Sequence, residues 1–524
     1  MKSQHSRLIV LIVVVAAFFR LYAVGGPAGV WHPDENYFVY RPLSFLGGDF
    51  NPHIFNYPSF HFYLLTPVYL LHFLYTFIGA GWSLDQWIAY HYFWHPEELL
   101  PLARYTSIAF SLGVILLASS LAARVYGARA GPLAAVFLAV GVVHLRQSLL
   151  AAVDVPMTFW FLAATYAAMR LPQRERLKDY VLPALFTGLA AATKYPGGLA
   201  GGAVLAAHLV CGRSFFDRRL WLAGGLSVCV FLCASPYVAL DFSTFWRYFA
   251  TELGHSSGGH GVDLGTGWWY HLKVTLPADL GWLAQVLALL GLVSVCKYPR
   301  TETWILTVPF LLFYLAMGSS HAVFVRYALP LCIFQAVLAA GFLQRLGSYR
   351  WSLLLLPLAL GEPLYGSFRL AQVAAAEDTR TEARRWVEGN VPQGATCCNF
   401  GGWFGDVPLA TYEGLWWKVW NFERAYPRRQ LDDTLEFLAA HRPDTPFYSY
   451  VVTAGNQHLE PGALETIDNH DCAYVILHQH PLSYSTVDTA FVRQLGQHAE
   501  QVARFTPAGL TAADPSYDPI DAYY

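Results

Sequence analysis

Two adjacent carboxylates, Asp34 and Glu35, follow the first long apolar segment of the chain, residues 8–24. That segment is long enough to cross a bilayer, and carboxylates at the end of a membrane helix are costly unless they have a functional or topological reason. A carboxylate in this position is suited to removing or orienting a hydroxyl proton. The alternative interpretation is that Asp34 caps a helix that begins near Glu35.

Other charged side chains lie at the ends of later apolar segments. Asp154 either belongs to the same site or caps the helix that starts at Val155-Pro156. Lys194 lies between two short segments and is suited to binding a phosphate as a point charge, or else it extends to the lipid headgroups. Arg104 and Arg326 are further phosphate candidates, with an interfacial anchor as the alternative role.

Two histidines, His255 and His260, lie in a Gly-rich segment of the predicted loop 239–277. Imidazole side chains are candidates for contacting substrate or for binding a divalent metal ion. A mobile loop with neither role is the alternative. The sequence contains no Cys-x-x-Cys pair of the kind that binds zinc, and it indicates no other cofactor.

The composition is that of a polytopic membrane protein. Of 524 residues, 55% are hydrophobic and 13% are charged, about half of the ~25% charge typical of soluble domains. Residues 376–524 carry 10 basic and 20 acidic side chains, whereas the rest carry 24 and 16. This asymmetry is typical of a membrane domain with basic cytoplasmic loops, followed by an acidic soluble domain. No basic stripe alternates with aromatic residues, which excludes a nucleic-acid partner.

Basic loops between the apolar segments predict the topology. The aromatic segment 59–80 is interpreted as an interfacial or re-entrant element that does not cross, because a crossing would place the basic loop 124–129 outside. With this choice the N-terminus and every basic loop are cytoplasmic, and the candidate site residues face the outside. About eleven spans are then predicted, at residues 8–24, 102–123, 131–149, 155–171, 180–193, 197–211, 220–238, 278–296, 302–318, 327–343 and 351–368.

The last part of the chain alternates between predicted helices and strands, so we expect a membrane domain over residues 1–373 and a small extracytoplasmic α/β domain over 374–524. Two of its three cysteines, Cys397, Cys398 and Cys472, are available for one disulfide. The predicted elements are strands near 395–399, 447–452 and 472–477, and helices at 431–441 and 487–497.

Short motifs follow one another in a set order over most of residues 1–345. They are Trp31-His32-Pro33-Asp34-Glu35, Tyr57-Pro58, Val125-Tyr126-Gly127 with Gly131, Asp154-Val155-Pro156, Thr193-Lys194-Tyr195, and Phe324-Val325-Arg326-Tyr327 with Pro330. Their order and spacing resemble the lipid-carrier-dependent glycosyltransferases of the GT-C fold. Within that group the sequence is similar to the aminoarabinose lipid A transferases and to the protein O-mannosyltransferases (glycosyltransferase family 39).

The resemblance implies an all-α GT-C membrane domain in the plasma (inner) membrane, with its active site on the extracytoplasmic face. It also implies inverting transfer of a hexose or pentose from a polyprenyl-phosphate donor to a lipid, glycan or protein acceptor. One competing interpretation is a transporter or flippase of lipid-linked sugars, although the duplicated halves common in transporters are missing from this sequence. Another is a non-catalytic assembly subunit that retains the fold.

The resemblance also implies roles for individual residues. Asp34, with Glu35 beside it, is expected to be the base or to orient the acceptor, and Asp154 is expected to be its neighbour. Tyr57 stands where the aminoarabinose transferases have a lysine before the proline, so it is a candidate for the same substrate site. The expected phosphate-binding residues are Lys194, Arg104 and Arg326.

Overall fold

The computed structural model describes residues 2–26, 29–174, 176–258, 264–346, 349–400, 407–426, 432–452, 463–478, 487 and 489–506. The described residues up to 375 are mostly helical, with short 3-10 turns such as Val325–Ala328 between helices. Their helices are α1 (Lys2–Val24), α2 (Glu35–Leu46), α3 (Phe60–Ala80), α4 (Leu84–Phe93), α5 (Leu100–Tyr126), α6 (Ala130–Ala139), α7 (Val142–Ser148), α8 (Asp154–Ala168), α9 (Val181–Thr193), α10 (Gly201–Val210), α11 (Arg218–Ala234), α12 (Tyr237–Leu240), α13 (Phe242–Gly258), α14 (Gly267–Tyr270), α15 (Leu276–Lys297), α16 (Thr301–Gly318), α17 (Leu329–Arg345) and α18 (Tyr349–Ala375).

Each of the eleven predicted spans contains a helix, but the count of eleven is not reproduced. Within the described part of the chain, six helical segments are long and apolar enough to cross a membrane. A seventh is α6 and α7 together, a pair bent by 64° rather than the single helix predicted over 131–149. The six segments are His5–Val24, Phe60–Ala80, Pro96–Tyr126, Gly267–Lys297, Thr301–Gly318 and Val325–Arg345.

The prediction of a long loop over residues 239–277 is wrong, because most of the described residues in this range are helical. The main element there is α13, whose aromatic side chains pack on the segment before α3: Phe245 and Tyr248 contact the ring of Phe55. Asn56 also donates to Glu252 of α13 at 2.6 Å. The sequence of α13 mixes aromatic and polar residues, so its polarity alone resembled that of a loop.

Helix α3 is unbroken, so the re-entrant alternative for residues 59–80 is wrong. Its exposed face is apolar, with Leu71, Tyr75 and Ile78 respectively 66%, 78% and 84% exposed, as expected for contact with lipid. Just after its C-terminus, the ring of Trp82 packs on Phe437, with ring centroids 5.1 Å apart.

The last part of the chain forms a small α/β unit around a parallel sheet. Strands β1 (Thr396–Phe400), β2 (Ser449–Val452) and β3 (Tyr474–Leu477) have the order β2-β1-β3. These strands and two helices were predicted, and a disulfide joins Cys398 to Cys472. The helices are α19 (Thr379–Asn390), α20 (Tyr412–Ala425), α21 (Asp432–Ala440), α22 (Ala463–Asn469) and α23 (Thr489–Leu495).

This α/β unit is packed against the helical part rather than set apart from it. Phe422 of α20 and Leu438 of α21 share one buried apolar cluster with Trp87 of α4. Lys418 donates to the carbonyl of Phe93 at 2.8 Å. Because Phe437 of α21 contacts Trp82, just after the C-terminal end of α3, that end of α3 lies on the same side of the membrane as the α/β unit.

We therefore predict that cysteines placed at Ala80 and at Gly389 of α19 react with a membrane-impermeant maleimide from the same side of the membrane. Lys178→Cys is the control for the opposite side, because it lies between the end of α8 and the start of α9, whose far ends carry Asp154 and Lys194. If the cysteine at Ala80 were labelled from the same side as the cysteine at Lys178, and from the opposite side to the cysteine at Gly389, α3 would cross the membrane.

Candidate active site

The loop that joins α1 to α2 is held in place by the buried carboxylate of Glu35. Arg104 of α5 forms a two-pronged ion pair with it, with Nε 2.8 Å from Oε1 and Nη2 2.7 Å from Oε2. The backbone N–H groups of Trp31 and Ala151 donate to the same carboxylate at 2.8 Å and 3.0 Å. The ring of Trp31 covers the Arg104 guanidinium, 3.7 Å from its centroid. These contacts fasten the loop to α5 and to the segment before α8.

The contacts of Glu35 and Arg104 indicate a structural role for both residues. Glu35 is fully buried and both of its oxygens are engaged, so it has no free position for a substrate proton. Arg104 is also buried, and besides Glu35 it donates to the carbonyl of Gly29 at 2.6 Å. Neither a catalytic role for Glu35 nor a phosphate contact for Arg104 fits these contacts. The pair instead positions the loop that carries Asp34.

Asp34 faces the opposite way from Glu35. It stands at the N-terminus of α2, but its side chain makes no capping hydrogen bond, so the alternative role of helix cap is wrong. The Tyr57 hydroxyl donates to its Oδ2 at 2.7 Å, and Arg326 Nη2 lies 3.5 Å from the same oxygen. The Asp34 side chain is 22% exposed and therefore accessible, whereas the Glu35 side chain is fully buried.

Tyr57 remains protonated in this arrangement. Its burial and the neighbouring carboxylate of Asp34 raise the pKa of the Tyr57 phenol well above its ordinary value. The hydroxyl is therefore a donor at physiological pH, and it orients the Asp34 carboxylate. This finding gives Tyr57 a contact that the sequence did not predict.

Arg326 and Asp34 form one acid–base pair, and a second, formed by Lys194 and Asp154, lies beside it. Lys194, at the C-terminus of α9, donates to Asp154 Oδ1 at 2.6 Å, and both side chains are largely buried. Asp154 is the first residue of α8, whose N-cap position is taken by Val153, and the largely buried Lys194 ammonium bonds to Asp154 rather than extending to the headgroups. The Lys194 ammonium lies 4.3 Å from the ring centroid of Tyr327 and 5.9 Å from that of Tyr57. The two pairs thus meet across these two aromatic rings.

His32 lies between the pairs and is neutral. Arg326 Nη1 donates to its Nε2 at 2.7 Å, whereas its Nδ1 lies 3.1 Å from the backbone nitrogen of Asp34 and 3.6 Å from Asp34 Oδ2. Burial, followed by the charges of Arg326, Arg146 and Lys194, lowers the pKa of His32 to about 2. The imidazole is therefore not a proton donor near neutral pH, and three cations surround this part of the site.

Of the two histidines in the predicted loop, His255 is not brought into this constellation. His255 lies in the last turn of α13, where the neighbouring Ser256 bonds to Ser320 at 3.0 Å. His260 lies outside the described residues. Over the described ranges, no group of three or more His, Cys, Asp or Glu side chains has the arrangement of a metal site.

Sequence reasoning missed three members of the site. His32 and Tyr327 lie inside the motifs that were recognised, next to Asp34 and Arg326, so their neighbours were the available signal. Arg146 belongs to none of the motifs. It was missed because 131–149 was taken as one continuous span, in which an arginine near the end is expected to be an anchor.

Comparison with known proteins supports the architecture. Residues 101–239 match the family model described as dolichyl-phosphate-mannose-protein mannosyltransferase. The apo oligosaccharyltransferase of Archaeoglobus fulgidus aligns over 90% of this chain and 69% of its own, with a TM-score of 0.51 and 12% identity. The chain has a GT-C-type fold. At this identity the likeness is one of fold alone.

Two further GT-C structures align less closely. ArnT from Cupriavidus metallidurans, solved with undecaprenyl phosphate, aligns over 74% of this chain, with a TM-score of 0.49 and 18% identity. AglB from Archaeoglobus fulgidus, solved with an inhibitory peptide and a dolichol-phosphate, aligns over 74% as well, with a TM-score of 0.47 and 12% identity. The aligned regions span 66% and 62% of those chains, less than two thirds of either. No curated protein sequence matches the chain.

The buried ion pair makes a stability prediction. Arg104→Met leaves the Glu35 carboxylate buried without a cation, so we expect a loss of about 3–5 kcal/mol, measured as thermal or denaturant unfolding in detergent. Glu35→Gln combined with Arg104→Met should recover part of that loss, because the uncompensated charge is removed. Asp34→Asn, at a partly exposed carboxylate, is the matched control. A loss below about 1 kcal/mol for Arg104→Met would place the pair among weak surface pairs and contradict this account.

His32 makes a prediction about pH. The folded state keeps the ring neutral, whereas the unfolded chain takes up a proton below pH ~6.5, so the stabilisation is complete above that value and shrinks as the pH falls. At pH 5 we expect wild type to have lost about 2 kcal/mol through this group. His32→Gln should lack this component in unfolding measurements at pH 5 and pH 7.5. Equal pH dependence of both proteins would show that His32 is not held neutral.

Proposed function

We propose that the chain is an integral membrane glycosyltransferase that moves a monosaccharide from a polyprenyl-phosphate donor to a lipid, glycan or protein acceptor. The observation that carries the proposal is the accessible Asp34 carboxylate, oriented by Tyr57 and placed beside the cations Arg326 and Lys194. Sugar transfer from a phosphate needs a proton acceptor and a positive environment for the departing phosphate.

The proposed reaction uses these groups in one displacement. The acceptor hydroxyl gives its proton to Asp34 while its oxygen forms a bond to the anomeric carbon of the sugar. On the opposite face of the ring the bond between that carbon and the phosphate oxygen breaks, and the phosphate keeps the electron pair. One carboxylate is sufficient for inversion, because no covalent glycosyl-enzyme forms. Arg326 and Lys194 stabilise the charge that develops on the phosphate.

The two acid–base pairs have different roles in the proposed reaction. Asp154 holds Lys194 in the site at 2.6 Å, so the ammonium is positioned before a substrate arrives. Tyr57 and Arg326 converge on one oxygen of Asp34, which leaves the other oxygen for the acceptor. Preorganised charges of this kind act without reorganisation during the reaction. Asp34 and Asp154 thus have the proposed catalytic and positioning roles, and Lys194 and Arg326 the proposed phosphate roles.

The nature of the donor is supported by the family match. Residues 101–239, which contain Asp154 and Lys194, match a family whose description names a dolichyl-phosphate-linked mannose. Asp34 and Arg326 lie outside that match, so their roles rest on the contacts described above. The apolar segments on both sides of the site are the kind of surface that a polyprenyl chain requires.

We further propose that the site faces the extracytoplasmic side of the plasma (inner) membrane. Met1–Arg7 and the loops 124–129 and 170–178 are basic, as expected of cytoplasmic segments. The loop 124–129 lies at the end of α5 that is far from Arg104, and the loop 170–178 lies at the end of α8 that is far from Asp154. The unit that begins at residue 374 follows α18 on the side of the site, so it shares the proposed extracytoplasmic location.

Asp34→Asn should lower transfer of radiolabelled sugar from polyprenyl-phosphate donors by about 10²–10⁴-fold, because the amide cannot accept the hydroxyl proton. Lys194→Met should lower it about 10²–10³-fold through loss of phosphate stabilisation. Asp49→Asn is the matched control, because this carboxylate lies just after α2 and bonds to exposed His53 instead. Equal transfer by wild type and Asp34→Asn would remove Asp34 from the chemistry. Movement of lipid-linked sugar across the bilayer without transfer would instead indicate a transporter.

A further inference from the structure

The break between α6 and α7 exposes backbone groups inside the helical bundle. The two helices meet at Gly141 with a bend of 64°, so the first N–H groups of α7 have no carbonyl one turn earlier to bond to. Inside a membrane domain such groups must find another partner in the protein, because no water or lipid group replaces the lost bond.

Asp279, near the start of α15, supplies that partner. Its Oδ1 accepts the N–H of Val143 at 2.9 Å and that of His144 at 3.2 Å, and the residue is fully buried. A Cβ atom at Gly141 would lie 2.9 Å from the same oxygen, so a glycine is needed there for the carboxylate to approach. A side chain 135 residues away thus caps α7.

Three further side chains fasten the same helix end. Arg20 of α1 lies 3.2 Å from His144 Nδ1 and donates to the Ser111 hydroxyl of α5 at 2.8 Å. The Ser111 hydroxyl in turn lies 3.2 Å from His144 Nε2. Arg20, Ser111, His144 and Asp279 form what we call the α7 clamp. Ionisable groups buried among membrane helices are costly, so a clamp of this kind indicates a functional constraint.

The other end of α7 leads directly into the candidate active site. Six residues after Ser148 the chain reaches Asp154, and on the way the N–H of Ala151 bonds to Glu35 at 3.0 Å. Helix α7 also packs against the turn Val325–Ala328, which carries Arg326. A rotation or shift of α7 would therefore be transmitted to both acid–base pairs.

We propose that Asp279 is a positioning residue for sugar transfer: its cap fixes α7, and α7 fixes the segment 149–154 that presents Asp154 and binds Glu35. This inference rests on the proposed function for its catalytic consequence, but its structural part stands on the contacts of α7. Its backbone hydrogen-bond partners are Val143 and His144 of α7, so Asp279 acts through the helix that it caps.

The test compares two substitutions at one position with a control on the same helix. Asp279→Leu removes the acceptor, whereas Asp279→Asn keeps an oxygen that can accept from Val143 and His144. Gln285→Leu is the control, because Gln285 of α15 is also buried and its Oε1 accepts from Gln335 of α17 at 3.0 Å, without a hydrogen bond to α7. Each full-length protein is purified in detergent and measured by amide hydrogen exchange of residues 142–154 and by steady-state transfer kinetics.

We expect Asp279→Leu to accelerate exchange of the 142–148 amides at least about tenfold and to lower kcat about 100-fold, with the donor KM within about threefold. Asp279→Asn should restore exchange, and most of kcat, to wild-type values. Gln285→Leu should lower thermal stability without either effect. If Asp279→Leu does not fold, Gly141→Ala provides the second variant, because its methyl group displaces the carboxylate and should accelerate the same exchange.

Unchanged exchange of residues 142–148 in Asp279→Leu would overturn the proposal, and so would a loss of kcat of equal size in Gln285→Leu. Accelerated exchange with full kcat would limit Asp279 to a structural role and would also overturn it. If wild type itself transfers no sugar while Asp279→Leu still loosens α7, the proposed function fails and the capping role of Asp279 stands. The two failures are therefore distinguishable.

Discussion

Burial of the Glu35 carboxylate is the constraint on which the rest of the site depends. A carboxylate without water is tolerated only when a cation and several donors surround it, and Arg104, Trp31 and Ala151 supply these from three parts of the chain. The requirement fixes the loop 29–34 against α5 and the segment before α8. Because neighbouring residues at the start of a helix point in different directions, the same fixation leaves the Asp34 side chain partly exposed.

As a consequence of this arrangement, the carboxylates of the site are paired with cations. Two carboxylates, Asp34 and Asp154, each lie beside one cation, and the rings of Tyr57 and Tyr327 separate the pairs. His32 stays neutral among three cations, so the region as a whole is suited to an anion. An incoming phosphate would bring a further negative charge to these cations, whereas an apolar substrate would not.

Much of the fold could be predicted from the sequence, since apolar segments and turn residues fix the helices and the strands β1 to β3. The sequence alone could not show which of Asp34 and Glu35 is buried, because that depends on Arg104, about 70 residues later. The broken helix at Gly141 was also missed, because its cap, Asp279, lies on another helix. Helix α13 was predicted as loop because its tertiary contacts with Phe55 and Asn56, rather than its polarity, define it.

The most direct test of the account is photo-crosslinking with a polyprenyl phosphate that carries a diazirine beside its phosphate group. After irradiation in membranes, adducts are located by mass spectrometry of the digested protein. The account predicts adducts on peptides that contain Tyr57, Lys194 or Arg326, with labelling suppressed by excess unmodified polyprenyl phosphate. Adducts confined to lipid-facing surfaces such as that of α3, unchanged by the competitor, would contradict a phosphate site between the two acid–base pairs.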